Sequence, residues 1–174
     1  DSFAIPDEIL QSFTDETGIT VEILRAGDAG TLVNQAVLTK DNPIGHVLFG
    51  IDNTFLSRAL DAGIFEPYEA AGLEHVDPAL LLDEQNRVTP IDVGYVCLNY
   101  DRNAFPTHAP ATLADLTADA YRGSLVVQDA SLSSPGLAFL LATIATFPDG
   151  ADYTWQDYWR DLVGNDVLIA ADWT

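Results

Sequence analysis

The sequence predicts an α/β fold with mostly parallel strands, and three observations carry that expectation. Short apolar runs recur at residues 19–24, 46–51, 93–100, 124–127 and 167–169, each of a length that suits a strand. Segments with apolar residues at helical spacing lie between them. The chain has 174 residues, 48% of them hydrophobic, which is enough to bury a core in one ordinary domain or two small ones.

The elements follow in order. Residues 7–17 read as an amphipathic helix with Ile9, Leu10 and Phe13 turned inward and Gly18 ending it. The first strand is 19–24. A helix over 31–40 follows, with Leu32, Val33, Ala36 and Val37 on its apolar stripe. Residues 46–51 form a nearly unbroken apolar run, as expected of a strand covered on both faces. The helix over 55–62 has Asn53 or Thr54 as its N-cap and Gly63 as its stop. Residues 66–88 read as helical turns and loop, and 93–100 as the next strand. Pro106 and Pro110 mark a connection to a second unit. That unit holds a short helix at 113–118, strands at 124–127 and 167–169, and helices at 135–146 and 153–162. The chain opens without a leading strand and stops soon after one, so it reads as part of a protein longer on both sides.

The charge is extreme. There are 27 acidic residues against 7 lysines and arginines, a formal net charge of -20, and Lys40 is the single lysine. A nucleic-acid partner is disfavoured, because the phosphate backbone needs a basic patch. The acids are spread along the chain rather than gathered in a tail. Such a surface suits strong salt screening and favours a halophilic, haloarchaeal source that folds in high salt, the alternative being an ordinary acidic protein kept soluble by its surface charge. No apolar stretch reaches 18 residues. Cys97 is the sole cysteine, which excludes an intrachain disulfide, and its apolar surroundings in sequence suggest a buried, inert thiol.

Enzyme constellations are weak. His46, His75 and His108 have no metal-ligand spacing, and His46 reads as a structural residue within an apolar strand. There is no Gly-x-Ser-x-Gly and no phosphate-binding Gly-x-x-x-x-Gly-Lys-Ser. The acidic pairs Asp15-Glu16 and Asp83-Glu84 read as solvated.

Three features could hold a ligand. Gln128-Asp129-Ala130-Ser131-Leu132-Ser133-Ser134-Pro135-Gly136 joins a strand to a helix. Ser133 or Ser134 can cap that helix, Pro135 suits its first position, and hydroxyls and free N–H groups there suit an anion. The same residues equally suit a well-capped helix without a ligand. Gly50-Ile51-Asp52-Asn53-Thr54 ends a strand, where open α/β sheets bind ligands. Asp52 there could face a cation, although Asp52 or Asn53 taken alone is better read as a helix cap. Trp155 and Trp159, with Tyr158, read as packing. Trp173 follows a strand end and could project into a cleft, where indole is a good partner for a cationic ring, the alternative being a core or interface tryptophan.

These residues, in order, resemble the thiamine-binding proteins of bacterial and archaeal ABC importers, within the iron- and polyamine-type group of periplasmic binding proteins. The matching segments are Asp1-Ser2-Phe3, Phe13-x-x-Glu16-Thr17-Gly18, Gly50-Ile51-Asp52-Asn53, Asp92-x-Gly94-Tyr95 with Asn99-Tyr100-Asp101, Gln128-Asp129 through Ser133-Ser134-Pro135-Gly136-Leu137, and Trp173. The resemblance implies a type II periplasmic-binding-protein fold of two α/β lobes with a hinge, truncated at both ends. The first lobe would be 1–100, lacking its opening strand, and 101–174 would start the second. It implies thiamine or its phosphates as ligand. Asp52 would face the cation, with Asn53 beside it. Ser133 and Ser134 would hold a phosphate or hydroxyl, Trp173 would contact a ring, and Asp1 and Ser2 would border the cleft. It further implies a binder rather than an enzyme, with no cofactor or metal. The protein would be an extracytoplasmic monomer, lipid-anchored at full length, that serves a membrane permease. The family's tyrosine before Asp1 is absent, and Ala130-Ser131-Leu132 replaces a more polar stretch. The alternatives are a ferric-iron or anion receptor of the same superfamily and an enzyme acting on a thiamine compound. A stand-alone sensor domain is a third reading.

Overall fold

The structure, a computed structural model, describes residues 4–171. Asp1, Ser2 and Trp173 lie outside the described residues. The chain forms two compact units, Asp1–Pro90 and Ile91–Thr174.

The first unit is helical. Helix α1 spans Asp7–Thr17, α2 Ala29–Leu38 and α3 Leu56–Ala62. Asp28 caps α2 by accepting the Ala29 N–H at 2.9 Å on Oδ1. Helix α3 ends at Gly63, whose φ of 66° is the left-handed conformation that glycine adopts without strain. The core of the unit is Ala29, Val33, Phe55, Leu56 and Ala59, where α2 packs on α3. The expected turns between 66 and 88 are present at Leu73–His75 and Pro78–Leu80.

Several sequence expectations are corrected here. Ile9 and Phe13 of α1 are exposed, and the helix buries no residue. Residues 19–24, 46–51 and 93–100 pair with no strand among the described residues. An apolar run shows what a segment can pair with, but a ladder needs a neighbour to supply its hydrogen bonds. Without one these side chains stay in solvent, with Val47 89% and Tyr95 91% exposed. His46 is accordingly exposed rather than a residue inside a strand. Cys97 is exposed too, because the whole of 91–100 is.

Asp83 is the reverse case, being only 6% exposed in its side chain instead of solvated. It accepts Arg87 Nε at 3.0 Å, Arg87 Nη2 at 2.6 Å and the Arg87 backbone N–H at 2.9 Å. The hydrogen bonds from the Arg87 side chain and backbone hold its pKa at about 2, against an ordinary 3.8. A carboxyl group depressed in the folded state adds stability that is complete above its ordinary pKa and is lost as pH falls through the folded one. Arg87→Ala is therefore expected to lower the melting temperature near neutral pH, with the difference from wild type closing between about pH 4 and pH 2. Thermal melts followed by circular dichroism check this. A loss that persists unchanged into acid would assign the effect to packing of the arginine stem instead.

The second unit carries the α/β alternation. Two short 3-10 turns, Ala114–Thr117 and Asp119–Tyr121, precede strand β1, Val126–Gln128. Helix α4 spans Ser134–Thr146 and α5 Trp155–Gly164, and strand β2, Leu168–Ala170, lies parallel to β1. The register pairs Val126 with Leu168, Val127 with Ile169 and Gln128 with Ala170. Helix α5 begins with a capping box in which Asp157 Oδ2 accepts the Thr154 N–H at 3.0 Å and its hydroxyl at 2.7 Å. The core is Leu116, Leu125, Val127, Tyr158 and Leu162, flanked by Leu113, Phe139, Phe147, Trp159 and Val167. Trp159 packs edge-on against Phe139 and donates to Thr143 Oγ1 at 2.9 Å, so the packing expected of this helix is present.

Candidate functional site

Two groups of candidate residues are described, one in each unit. The first is the turn from Gly50 to Phe55. Gly50 has a φ of 107°, which glycine tolerates and other residues rarely do. A Cβ added there would only touch Leu32 Cδ2, at an ordinary 3.6 Å, so it is the backbone angle that calls for glycine. Asp52 follows, half-buried. Its Oδ1 accepts the Thr54 N–H at 2.6 Å, the Thr54 hydroxyl, and the Phe55 N–H at 3.3 Å. The carboxylate thus supplies the acceptor at the start of α3 that neither Asn53 nor Thr54 supplies. Phe55 occupies the N-cap position and offers no side-chain acceptor. Asp52 Oδ2 is enclosed and has no hydrogen-bond partner among the described residues. A buried carboxylate oxygen without a donor is costly, and a cation or an N–H-bearing ligand would relieve that cost. Asn53 is exposed in the same turn.

The second group lies where β1 meets α4. Ser133 is at the N-cap position and is 0% exposed. Its hydroxyl does not cap the helix but donates to Gln128 Oε1. Its N–H donates to the Asp129 carbonyl at 2.9 Å, and its carbonyl accepts the Leu137 N–H at 2.9 Å. Ser134 is the first residue of α4, which moves Pro135 to the second position rather than the first. Among the described residues neither the Ser134 hydroxyl and N–H nor the Gly136 N–H has a partner. Asp129 sits beside them, and the Ser131 hydroxyl and N–H bonded to Asp129 Oδ1 hold its carboxyl below the usual carboxylate range. Free N–H groups at a helix start favour an anion.

The structure therefore brings Asp52 together with Asn53, and Ser133 together with Ser134. Sequence reasoning missed the pairing of Gln128 with Ser133. The available signal was a polar amide at the end of a strand, five positions before the capping serine. It also missed why Gly136 must be glycine. A Cβ there would lie 2.4 Å from the Gln128 carbonyl oxygen and 2.7 Å from its carbon. Among the described residues no cluster of histidine, cysteine and carboxylate side chains could hold a metal ion.

Comparisons with known proteins agree with this architecture. The profile of the bacterial extracellular solute-binding protein family matches residues 42–172. The thiamine-binding periplasmic protein of Escherichia coli is 26% identical, over all of this chain and 52% of its own length. That of Haemophilus influenzae is 29% identical over 83% of this chain and 42% of its own. That of Brucella abortus is 24% identical over 86% and 44%. The chain thus spans about half the length of the curated relatives it matches. Among solved structures, a periplasmic thiamin binding protein superposes with a TM-score of 0.71 at 19% identity, over 95% of this chain and 50% of that one. That likeness places the chain in the type II periplasmic-binding fold expected from the sequence.

Proposed function

Because the chain belongs to the bacterial extracellular solute-binding protein family, we propose that it is part of an extracytoplasmic receptor that binds thiamine or a thiamine phosphate and delivers it to the membrane permease of an ABC importer. The observation that carries this reading is the match, over all of this chain and 52% of the other's length, to a relative named for binding thiamine. The site chemistry supports it. Thiamine is a flat cation, and its phosphates add an anionic end. Asp52 has a carboxylate oxygen with no donor of its own, and the start of α4, behind the buried Ser133, offers the unpaired N–H and hydroxyl of Ser134. In this reading Trp173 contacts a ring, and Asn53, Asp1 and Ser2 border the ligand. The protein is a monomeric binder with no catalytic step and no resident cofactor or metal. It is held at the membrane by a lipid anchor and adapted to a salt-rich medium.

A calorimetric titration of the full-length protein in molar potassium chloride tests the proposal. Thiamine and thiamine monophosphate are expected to bind saturably, and ferric citrate is not. Asp52→Asn keeps a carbonyl acceptor for Thr54 and Phe55 but removes the charge, and is expected to weaken both thiamine compounds about tenfold or more. Binding of ferric citrate alone would replace this reading with an iron receptor. A folded protein that binds none of the three would end it.

A further inference from the structure

A groove of about 550 Å3 runs along α2 in the first unit, between Arg25 and the helix residues Thr31, Asn34, Gln35 and Leu38. Those four share one face of the helix by their spacing, opposite Ala29 and Val33, which are buried in the core. Two independent observations single the groove out. The first is charge. No acidic residue lines it, although acids outnumber lysines and arginines 27 to 7. Arg25 is exposed and has no ion-pair or hydrogen-bond partner among the described residues, whereas Arg87, Arg122 and Arg160 each pair with an aspartate. The second is an unmet acceptor. Asn34 Oδ1 is enclosed and receives no donor among the described residues. Such an oxygen is costly until an N–H reaches it.

From Thr31 to Leu38 the helix rises about 10 Å, the length of about three residues of extended chain. An extended peptide fits each feature along that line. One of its N–H groups meets Asn34 Oδ1, a carboxylate side chain meets Arg25, and an apolar side chain covers Leu38, which is 86% exposed. Resting on the function proposed above, we infer that this groove docks an extended, carboxylate-bearing segment of the membrane permease. A receptor with a net charge of -20 repels such a segment over most of its surface. The acid-free groove with its free guanidinium admits it, and this fixes how the receptor is oriented when it delivers its ligand.

The test uses the full-length receptor, thiamine, and the importer's permease with its ATPase subunits in lipid nanodiscs. Receptor-stimulated ATP hydrolysis reads docking, and calorimetry reads thiamine binding. Arg25→Glu is expected to raise the receptor concentration for half-maximal stimulation about tenfold and to leave thiamine affinity unchanged. Arg102→Glu makes the same charge change at a second exposed, unpaired arginine, and is expected to alter neither. Asn34→Ala should weaken stimulation about threefold without lowering the melting temperature, because the oxygen it removes has no partner to lose. Equal effects of the two charge reversals would assign the loss to overall charge and overturn the proposal. So would an Arg25→Glu variant that stimulates like wild type or binds thiamine more weakly, or an Asn34→Ala variant that melts lower. If the wild type binds no thiamine, the proposed function falls. Direct binding of the receptor to immobilised permease then decides the groove: weaker binding of Arg25→Glu than of Arg102→Glu upholds it, and equal or absent binding overturns it.

Discussion

Tyr158→Ala is expected to destabilise the second unit by about 4 kcal/mol, the usual cost of emptying an aromatic site in a core. Tyr158 is 0% exposed and lies at the centre of that core. Its ring stacks on Phe147 with centroids 4.7 Å apart, and its hydroxyl donates to the Leu113 carbonyl at 2.8 Å. Truncation therefore leaves a cavity and also strips a carbonyl of its donor, two separate losses. Since folded domains hold only about 5–15 kcal/mol, the variant should unfold at much lower denaturant than wild type. Val163→Ala on the exposed side of the same helix is the control, and it should stay within about 0.5 kcal/mol. Denaturant unfolding in molar potassium chloride checks both. Equal effects from the two variants would mean that α5 does not bury the face described.

Gly136→Ala is the second large effect. In a helix, glycine to alanine ordinarily gains about 1 kcal/mol. Here the added methyl would meet the Gln128 carbonyl oxygen at 2.4 Å, Gln128 C at 2.7 Å and Asp129 C at 2.8 Å. These are backbone atoms at the end of β1 and cannot swing aside as a flexible side chain could. The overpacking cost, about 3 kcal/mol, outweighs the propensity gain, so a net loss of about 2 kcal/mol is expected. Relief of the clash would also move the start of α4 away from Gln128. The same variant should therefore loosen the hydrogen bond from Ser133 to Gln128 as well as lose stability. A variant that melts at or above wild type would show that the junction has room the geometry denies.

The helices were legible because their signals are local. Spacing of apolar residues and a following glycine located α1 and the end of α3, and the Ser-Pro-Gly segment located the start of α4. The strands β1 and β2 were placed to within two residues, since each is a short apolar run beside a clear helix. The runs at 19–24, 46–51 and 93–100 were misleading because strand formation is a property of pairs, and sequence reports only one member. Asp83 was misread for a related reason. Its charge alone suggests a solvated residue, and its partner is an arginine four positions on, in a segment with no helix to signal the pairing. At the candidate site the residue types were legible and the hydrogen-bond directions were not. Nothing in Gln128-Asp129 through Ser133-Ser134 says that the first serine donates to the glutamine while the second stays free.

The most direct test of the account is a crystal structure of the full-length protein grown with thiamine monophosphate. The phosphate is expected to meet the Ser134 hydroxyl and N–H at the start of α4. A ligand whose phosphate lies away from the start of α4 would contradict this.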